Sequence, residues 1–177
     1  MEGANGYSVK KGMVYRADHL SRLPDNDHRV LHQGSFRTVC DLRSRREQRK
    51  LPDRMPGRVH SIPLLSSRVK DFDPATAMDR LRSGYLGWLS KDFILHLYRS
   101  YLDDFGPVWR RIYSLAGLAD HLPLVFHCTG GKDRTGICSM LLHNLLGVKK
   151  KQSLLNISSL TFTTLKGWSR YTRILPN

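Results

Sequence analysis

Residues 127–136 read HCTGGKDRTG and stand between two segments of different periodicity. The apolar run at 122–126 is typical of a buried strand, and residues 137–146 have the spacing of a helix. A strand, a tight loop and a helix in this order form a cradle for an anion. The loop N–H groups converge on one point, and the helix N-terminus adds its positive end. This stretch therefore predicts an anion-binding loop within an α/β fold.

Cys128 opens the loop, and Arg134 follows it with five residues between them. A thiol beside convergent N–H groups favours the thiolate form, which is the nucleophile. The alternative for an isolated cysteine is an inert buried residue, but here a histidine, paired glycines and Arg-Thr-Gly surround it. A nucleotide-binding Walker loop is disfavoured, because Lys132 is followed by Asp133 and not by Ser or Thr.

The loop resembles that of Cys-dependent protein phosphatases, and its Gly-Lys-Asp-Arg-Thr-Gly form resembles the bacterial and fungal tyrosine/serine phosphatase family. Similarity spans roughly residues 6–148, and a second block supports it: VYRADHL at 14–20, TVCDLRS at 38–44, then Glu47 and Leu51-Pro52-Asp53. The resemblance implies a central, mostly parallel sheet flanked by helices. It also implies a phosphomonoester hydrolase of tyrosine or dual specificity that needs no metal or cofactor.

By this resemblance, Cys128 is the nucleophile and forms a phosphocysteine intermediate. Arg134 would present a planar fork to two phosphate oxygens, which a lysine could not do equally well. Thr135 would offer its hydroxyl to the Cys128 sulfur, or else cap the helix. Backbone N–H groups of residues 129–134 would hold the remaining oxygens, with substrate contacts at Thr129, Gly130, Gly131 and Lys132.

The general acid is less clearly indicated, because the chain lacks the Trp-Pro-Asp string common in tyrosine phosphatases. The resemblance assigns the role to Asp133, with Asp41 in reserve and Asp71 or Asp73 as a third choice. Arg43 has two interpretations of similar weight: a structural ion pair with a nearby acid such as Glu47, or a cation that faces the substrate.

Length and charge limit the class of protein and partner. The 177 residues suit one domain, and 29 basic against 15 acidic residues give a net charge of +14. Such a charge attracts phosphoproteins, phosphoinositides and anionic membrane surfaces, or is only a solvated surface. No nucleic-acid motif accompanies it, and nothing points to an oligomeric state. A catalytic thiol without a disulfide framework, a leader or a membrane span predicts a cytoplasmic location, although secretion by a non-classical route would leave no trace in the sequence.

The remaining pattern alternates strands and helices, which predicts a largely parallel sheet. We expect strands at 13–16, 36–42 and 59–64, a short helix up to about residue 33, and helices at 93–102 and 108–118. Residues 66–90 have no clear period and are a candidate lid over the site. In such folds the site lies beyond the carboxyl ends of the strands, where both the loop and Asp41 would stand.

The chain changes character after Lys151, which divides it into a phosphatase domain at 1–151 and an atypical segment at 152–177. The segment holds eight Ser or Thr residues and no Asp or Glu. Two interpretations are equally weighted: a reading frame shifted after the three lysines, which would leave the domain without its last helices and the segment poorly ordered, or a divergent genuine segment.

Two other function classes compete with a phosphatase. A pseudophosphatase would bind phosphorylated residues without turnover, although all the expected reactive side chains are present. A sulfurtransferase or an arsenate reductase uses a related Cys-x5-Arg cradle, but the His-Cys-x-x-Gly-Lys-x-Arg-Thr-Gly form disfavours both.

Overall fold

The structure is a computed structural model that describes residues 1–23, 33, 36–55, 57–64, 80, 83–87 and 89–155. Four parallel strands form one sheet in the order β1-β4-β2-β3. Their bounds are β1 Val14–Ala17, β2 Thr38–Asp41, β3 Arg58–Ser61 and β4 Leu124–His127. The sheet confirms the predicted α/β class with a parallel sheet.

Helices flank this sheet and follow the local sequence signals. Their bounds are α1 Arg45–Lys50, α2 Lys91–Asp103, α3 Gly106–Ala116 and α4 Asp133–Leu145. The Ser90 hydroxyl caps α2 by accepting a hydrogen bond from the Phe93 N–H at 3.0 Å. A proline in the first turn starts α3, where its missing N–H costs nothing.

Alternation along the strands divides the core between the two faces of the sheet. Leu124 and Phe126 of β4 belong to the larger cluster, which they share with buried residues of α2, α3 and α4. Val125 points to the other face and packs with Val39, Leu20 and Phe36. This period of two places β4 in a fully buried position at the centre of the sheet.

Strand register brings the carboxyl ends of three strands level. Ala17 of β1 and Asp41 of β2 both pair with His127 of β4, so the three residues form one row. The chain continues from this row into Asp18, Leu42 and Cys128. The segments that carry the candidate site residues therefore emerge side by side at one edge of the sheet, as the sequence predicts.

The predicted strands and long helices are confirmed, with bounds that differ by a few residues. The sequence analysis missed α1, whose six residues are too few to display a hydrophobic period. The expected helix up to residue 33 and the candidate lid at 66–90 fall largely outside the described residues.

The C-terminal part crosses the expected boundary at residue 151, because residues 150–155 form one helical segment. Ser153 is buried there and its Oγ lies 3.1 Å from Nδ1 of His143 in α4. This helical segment therefore extends the folded domain past residue 151. The rest of the atypical segment, residues 156–177, lies outside the described residues. Within the described part, no helix is both long and apolar enough for a membrane crossing.

Candidate active site

The loop between β4 and α4 carries Cys128 at its start and Asp133 at its end. Cys128 is 2 % exposed and belongs to the main core cluster, so its sulfur lies at the base of the loop and away from bulk solvent. Residues 133–145 begin a helix directly after the loop, which brings the positive end of the helix dipole to the same place. The structure confirms the predicted order of strand, loop and helix, and the role of the loop as an anion cradle stays a prediction.

Arg134 is held under the loop by a residue that the sequence analysis did not place in the site. Glu47 accepts hydrogen bonds from Nη1 of Arg134 at 2.9 Å and from Nη2 at 3.0 Å. The Thr129 hydroxyl also donates to this carboxylate. The two Nη atoms of Arg134, which we expected to bind phosphate oxygens, therefore donate to Glu47 in this structure. The Nε–H group of Arg134 takes no part in these two bonds to Glu47.

Glu47 is positioned by its own helix. It is the third residue of α1, where the Ser44 hydroxyl accepts from the Glu47 N–H at 3.2 Å and Glu47 Oε2 accepts from the Ser44 N–H at 2.7 Å. This capping box is visible in the sequence as Ser44-x-x-Glu47, and it is the signal that could have found α1. One carboxylate thus starts a helix and also fixes the arginine of the loop.

Burial and charge act in opposite directions on this pair. Burial alone would raise the pKa of Glu47, but the Arg134 guanidinium, with help from Thr129 and the Ser44 N–H, lowers it to about 2. Burial would lower the pKa of Arg134, but the charges of Cys128 and Glu47 raise it above its ordinary value. Both groups therefore stay ionised at neutral pH.

The two loop glycines have different surroundings. Gly131 has φ +62°, and a Cβ there would lie 3.0 Å from the Ala17 carbonyl oxygen and from the Asp18 backbone. A Cβ at Gly130 would meet no atom of the described residues within 4 Å. Gly131 therefore needs both its conformation and its missing side chain, whereas packing within the described residues leaves room for a side chain at Gly130.

Asp133 and Lys132 are exposed at the end of the loop. The Tyr98 hydroxyl from α2 donates a hydrogen bond to Oδ1 of Asp133. Burial, and then the Asp133 charge, raise the pKa of Tyr98, so this phenol remains a donor throughout the neutral range. Sequence reasoning missed Tyr98, because its place in the helical period of α2 suggested only core packing.

Asp41 and Arg43 form a buried cluster of charges and do not reach a substrate. Arg43 has a fully buried side chain and donates to Asp41 Oδ2 at 2.7 Å and to Oδ1 at 2.9 Å. Its Nη2 also lies 2.9 Å from Asp53. Of the two interpretations of Arg43, the structure shows the ion pair, which is formed with Asp41 and Asp53. Asp41, the expected reserve acid, is bonded to Arg43 through both of its carboxylate oxygens. Asp71 and Asp73 lie outside the described residues.

His127 extends the same cluster beneath the loop. Its Nε2 lies 2.9 Å from Asp53 Oδ2. Burial would raise the pKa of Asp53, but His127 and Arg43 lower it. Asp41, Asp53 and His127 offer three ligand atoms within 4.8 Å of one another. The Arg43 guanidinium already supplies a cation to both carboxylates, so the residues do not fit a metal.

Thr135 differs from its expected role in one respect. Its side chain is fully buried in the first turn of α4, and within the described part of the chain Oγ1 has no hydrogen-bond partner. The predicted bond to the Cys128 sulfur is therefore not formed in this structure. A buried hydroxyl without a partner lowers the free energy of unfolding by about 1–3 kcal/mol.

Comparison with known proteins gives one family match over most of the chain. The description "Tyrosine phosphatase family" matches residues 1–154. The match includes the loop, all four strands and all but the last residue of the helical segment at 150–155.

Individual relatives agree with this match. A tyrosine-protein phosphatase of Nostoc commune is 27 % identical over 147 residues, which are 80 % of this chain and 46 % of that protein. The triple specificity protein phosphatase PtpB of Mycobacterium tuberculosis is 30 % identical over 164 residues, which are 81 % of this chain and 59 % of that protein. The chain thus spans about half the length of these relatives.

P. aeruginosa TpbA in complex with pTyr superposes with a TM-score of 0.42 and 20 % identity, over 84 % of this chain and 68 % of that one.

Because Gly130 and Gly131 have different surroundings, we expect replacement by alanine to change the free energy of unfolding by different amounts at the two positions. Gly131→Ala should lower the free energy of unfolding by at least about 1–2 kcal/mol, the cost of a left-handed residue with a Cβ, with the 3.0 Å contacts adding to it. Gly130→Ala is the matched control and should stay within about 0.5 kcal/mol of the wild type. Urea unfolding measures both. Equal losses for the two variants would contradict this account of the loop.

Because the pKa of Glu47 is lowered, we expect part of the free energy of unfolding to depend on pH in the acidic range. Because its pKa is lower in the folded chain, its contribution is present above its ordinary pKa of 4.5 and is lost as the pH falls toward about 2. Glu47→Gln should cost about 1.5–3 kcal/mol at neutral pH, the contribution of hydrogen bonds to a charged group. The gap between wild type and variant should narrow below pH 4.5 in urea titrations at successive pH values. A constant gap down to pH 2 would show that the pair with Arg134 is not its source.

Proposed function

The chain belongs to the tyrosine phosphatase family, and on this premise we propose that it is a Cys-dependent phosphomonoester hydrolase acting on phosphotyrosine. The observation that carries the proposal is the loop itself: Cys128 lies at its base, the N-terminus of α4 follows it, and a buried Arg134 stands beside Cys128. A thiolate, convergent N–H groups and a fixed cation are what in-line attack on a phosphate dianion requires.

The reaction follows from the placement of these groups. The Cys128 thiolate attacks phosphorus while the bond to the leaving oxygen breaks, and that oxygen takes a proton from Asp133. A phosphocysteine results. Water then attacks the phosphorus, its proton passes to the Asp133 carboxylate, and the Cys128 sulfur departs as thiolate with release of inorganic phosphate. Loop N–H groups and Arg134 hold the equatorial oxygens in both steps.

Asp133 is the acid that the described residues support best. It is exposed at the mouth of the loop, whereas Asp41 is buried and bonded to Arg43. The Tyr98 hydroxyl donates to Oδ1 of Asp133, which directs the carboxyl group and leaves Oδ2 for the proton transfer to a leaving group. A positioned acid contributes about 10²–10⁴-fold to such a reaction.

Substrate breadth is a finer part of the proposal. One relative is named for triple specificity, and this chain has a net charge of +14 and an exposed Lys132 next to the loop. We therefore extend the proposal to phosphoserine or phosphothreonine and to phosphoinositides, the latter presented at an anionic membrane surface. Three free cysteines, including the nucleophile, favour a reducing compartment such as the cytoplasm.

The first test is turnover. The protein should release inorganic phosphate from para-nitrophenyl phosphate, and Cys128→Ser should abolish this while Cys138→Ser retains most of it. Iodoacetamide near neutral pH should inactivate the wild type at Cys128, and vanadate should protect it. A pseudophosphatase would bind vanadate without releasing phosphate. A sulfurtransferase or an arsenate reductase would transfer sulfur or reduce arsenate instead.

The second test concerns the acid. Asp133→Asn should slow aryl phosphates with poor leaving groups by about 10²–10⁴-fold and those with good leaving groups far less, because only a poor leaving group needs the proton. Asp120→Asn, an exposed acid elsewhere, is the control. Equal losses for good and poor leaving groups would remove Asp133 from this role.

The third test concerns a second anionic group on the substrate. Lys132→Ala should weaken kcat/KM for a multiply phosphorylated inositol lipid by about tenfold or more, since a charge-assisted bond contributes about 1.5–3 kcal/mol. A phosphotyrosine peptide should be affected much less. A uniform effect on both substrates, or no phosphoinositide turnover by the wild type, would end this part of the proposal.

A further inference from the structure

Arg16, near the end of β1, reaches the loop from the neighbouring strand. Its Nη2 donates a 2.8 Å hydrogen bond to the carbonyl oxygen of Gly131, although the two residues are 115 positions apart. Register places Arg16 beside Phe126 of β4, two residues before Cys128. The side chain therefore crosses from β1 to the far part of the loop and contacts it at one carbonyl.

Two other nitrogens of this half-buried guanidinium, Nε and Nη1, are buried and have no hydrogen-bond partner among the described residues. Unpartnered buried donors lower stability, and so does the partial removal of a charged group from water. Burial lowers the pKa of Arg16 to about 10, with the charge of Cys128 acting in the opposite direction, so the group is still charged at neutral pH. Because Arg16 lowers the stability of the fold, its presence is better explained by its contact with the loop.

The hydrogen bond from Arg16 to the Gly131 carbonyl also determines the direction of the Lys132 N–H. The peptide between Gly131 and Lys132 is trans, so its carbonyl oxygen and the Lys132 N–H point in opposite directions. A guanidinium that holds the carbonyl on one side also holds this N–H on the other. The Ala17 and Asp18 backbone restrain Gly131 from the same strand, which leaves no room for a Cβ. The β1 segment thus fixes one peptide of the loop by contact and by hydrogen bond.

We propose that Arg16 is a positioning residue, which holds the Gly131–Lys132 peptide so that the Lys132 N–H is directed at the phosphoryl group. The inference rests on the proposed role of the loop as a phosphate cradle. Arg16 does not touch the substrate and acts through the peptide alone. Its effect should be largest on the transition state, where a preorganised N–H donor to an oxyanion contributes most.

Arg16→Met tests this, because it keeps an apolar stem and removes the donor. We expect kcat for para-nitrophenyl phosphate to fall about 10- to 100-fold, somewhat below the effect of deleting an oxyanion donor. Affinity for vanadate, which imitates the five-coordinate phosphorus, should fall in parallel, with KM changed less than kcat. The thermal unfolding midpoint should stay equal or rise, because two buried donors without a partner among the described residues are removed.

Arg58→Met is the control, since Arg58 is exposed on β3 and its loss changes the net charge equally. It should leave kcat and vanadate affinity at wild-type values. Arg16→Lys is the second variant in case Arg16→Met does not fold. It keeps the charge, but its shorter side chain should lose the bond to Gly131, and kcat and vanadate affinity should fall, though less than in Arg16→Met.

Folded Arg16→Met or Arg16→Lys with wild-type kcat and vanadate affinity would overturn the inference. So would a loss of kcat that only follows a loss of folded protein, because that is the result expected of a structural residue. The proposed function is tested separately: if wild-type turnover is absent, or survives in Cys128→Ser, the phosphatase assignment fails before any Arg16 variant is considered.

Discussion

A single buried ion pair between Glu47 and Arg134 joins the two halves of the site. Glu47 belongs to α1, which follows β2, and Arg134 belongs to α4, which follows β4. The two bonds of 2.9 and 3.0 Å fix the guanidinium in one plane at the base of the loop. Removing one partner of such a pair is destabilising, because the other charge stays buried and unpaired. The position of the loop arginine therefore depends on a helix distant in sequence.

A second set of charges lies beneath the first. Arg43 is fully buried between Asp41 and Asp53, and His127 lies against Asp53 at 2.9 Å. Asp41 and His127 end the central strands β2 and β4, and Arg43 and Asp53 come after β2. A buried guanidinium between two carboxylates specifies geometry more than it adds stability. The cluster therefore acts as a rigid base on which the reactive loop is mounted.

The loop itself carries costs that packing alone does not explain. Thr135 Oγ1 and two nitrogens of Arg16 are buried without a hydrogen-bond partner in the part of the chain that the structure describes, and Gly131 holds a left-handed conformation against the backbone of Ala17 and Asp18. Unmade bonds and strained positions concentrate where a chain is organised for binding or chemistry. The fold tolerates them because β4 and α4 are anchored in a continuous apolar core on either side of the loop.

The strand–loop–helix unit at 122–146 could be predicted from the sequence alone, because it depends on local periodicity and one contiguous motif. That motif and the block at 14–53 together indicated the family. The alternation of strands and helices indicated a parallel sheet, but not which strands are neighbours. The sequence alone could not show which charged side chains form ion pairs with one another. Arg43 was open between an ion pair and a substrate contact, and burial beside Asp53 decided the matter. Arg16, Glu47 and Tyr98 stand up to 115 residues from their partners in the loop, and no local pattern marks such distances. Only the register of β1, β2 and β4, together with the packing of α2 on α4, brings these side chains to one point, since strand pairing and helix packing are properties of the whole chain.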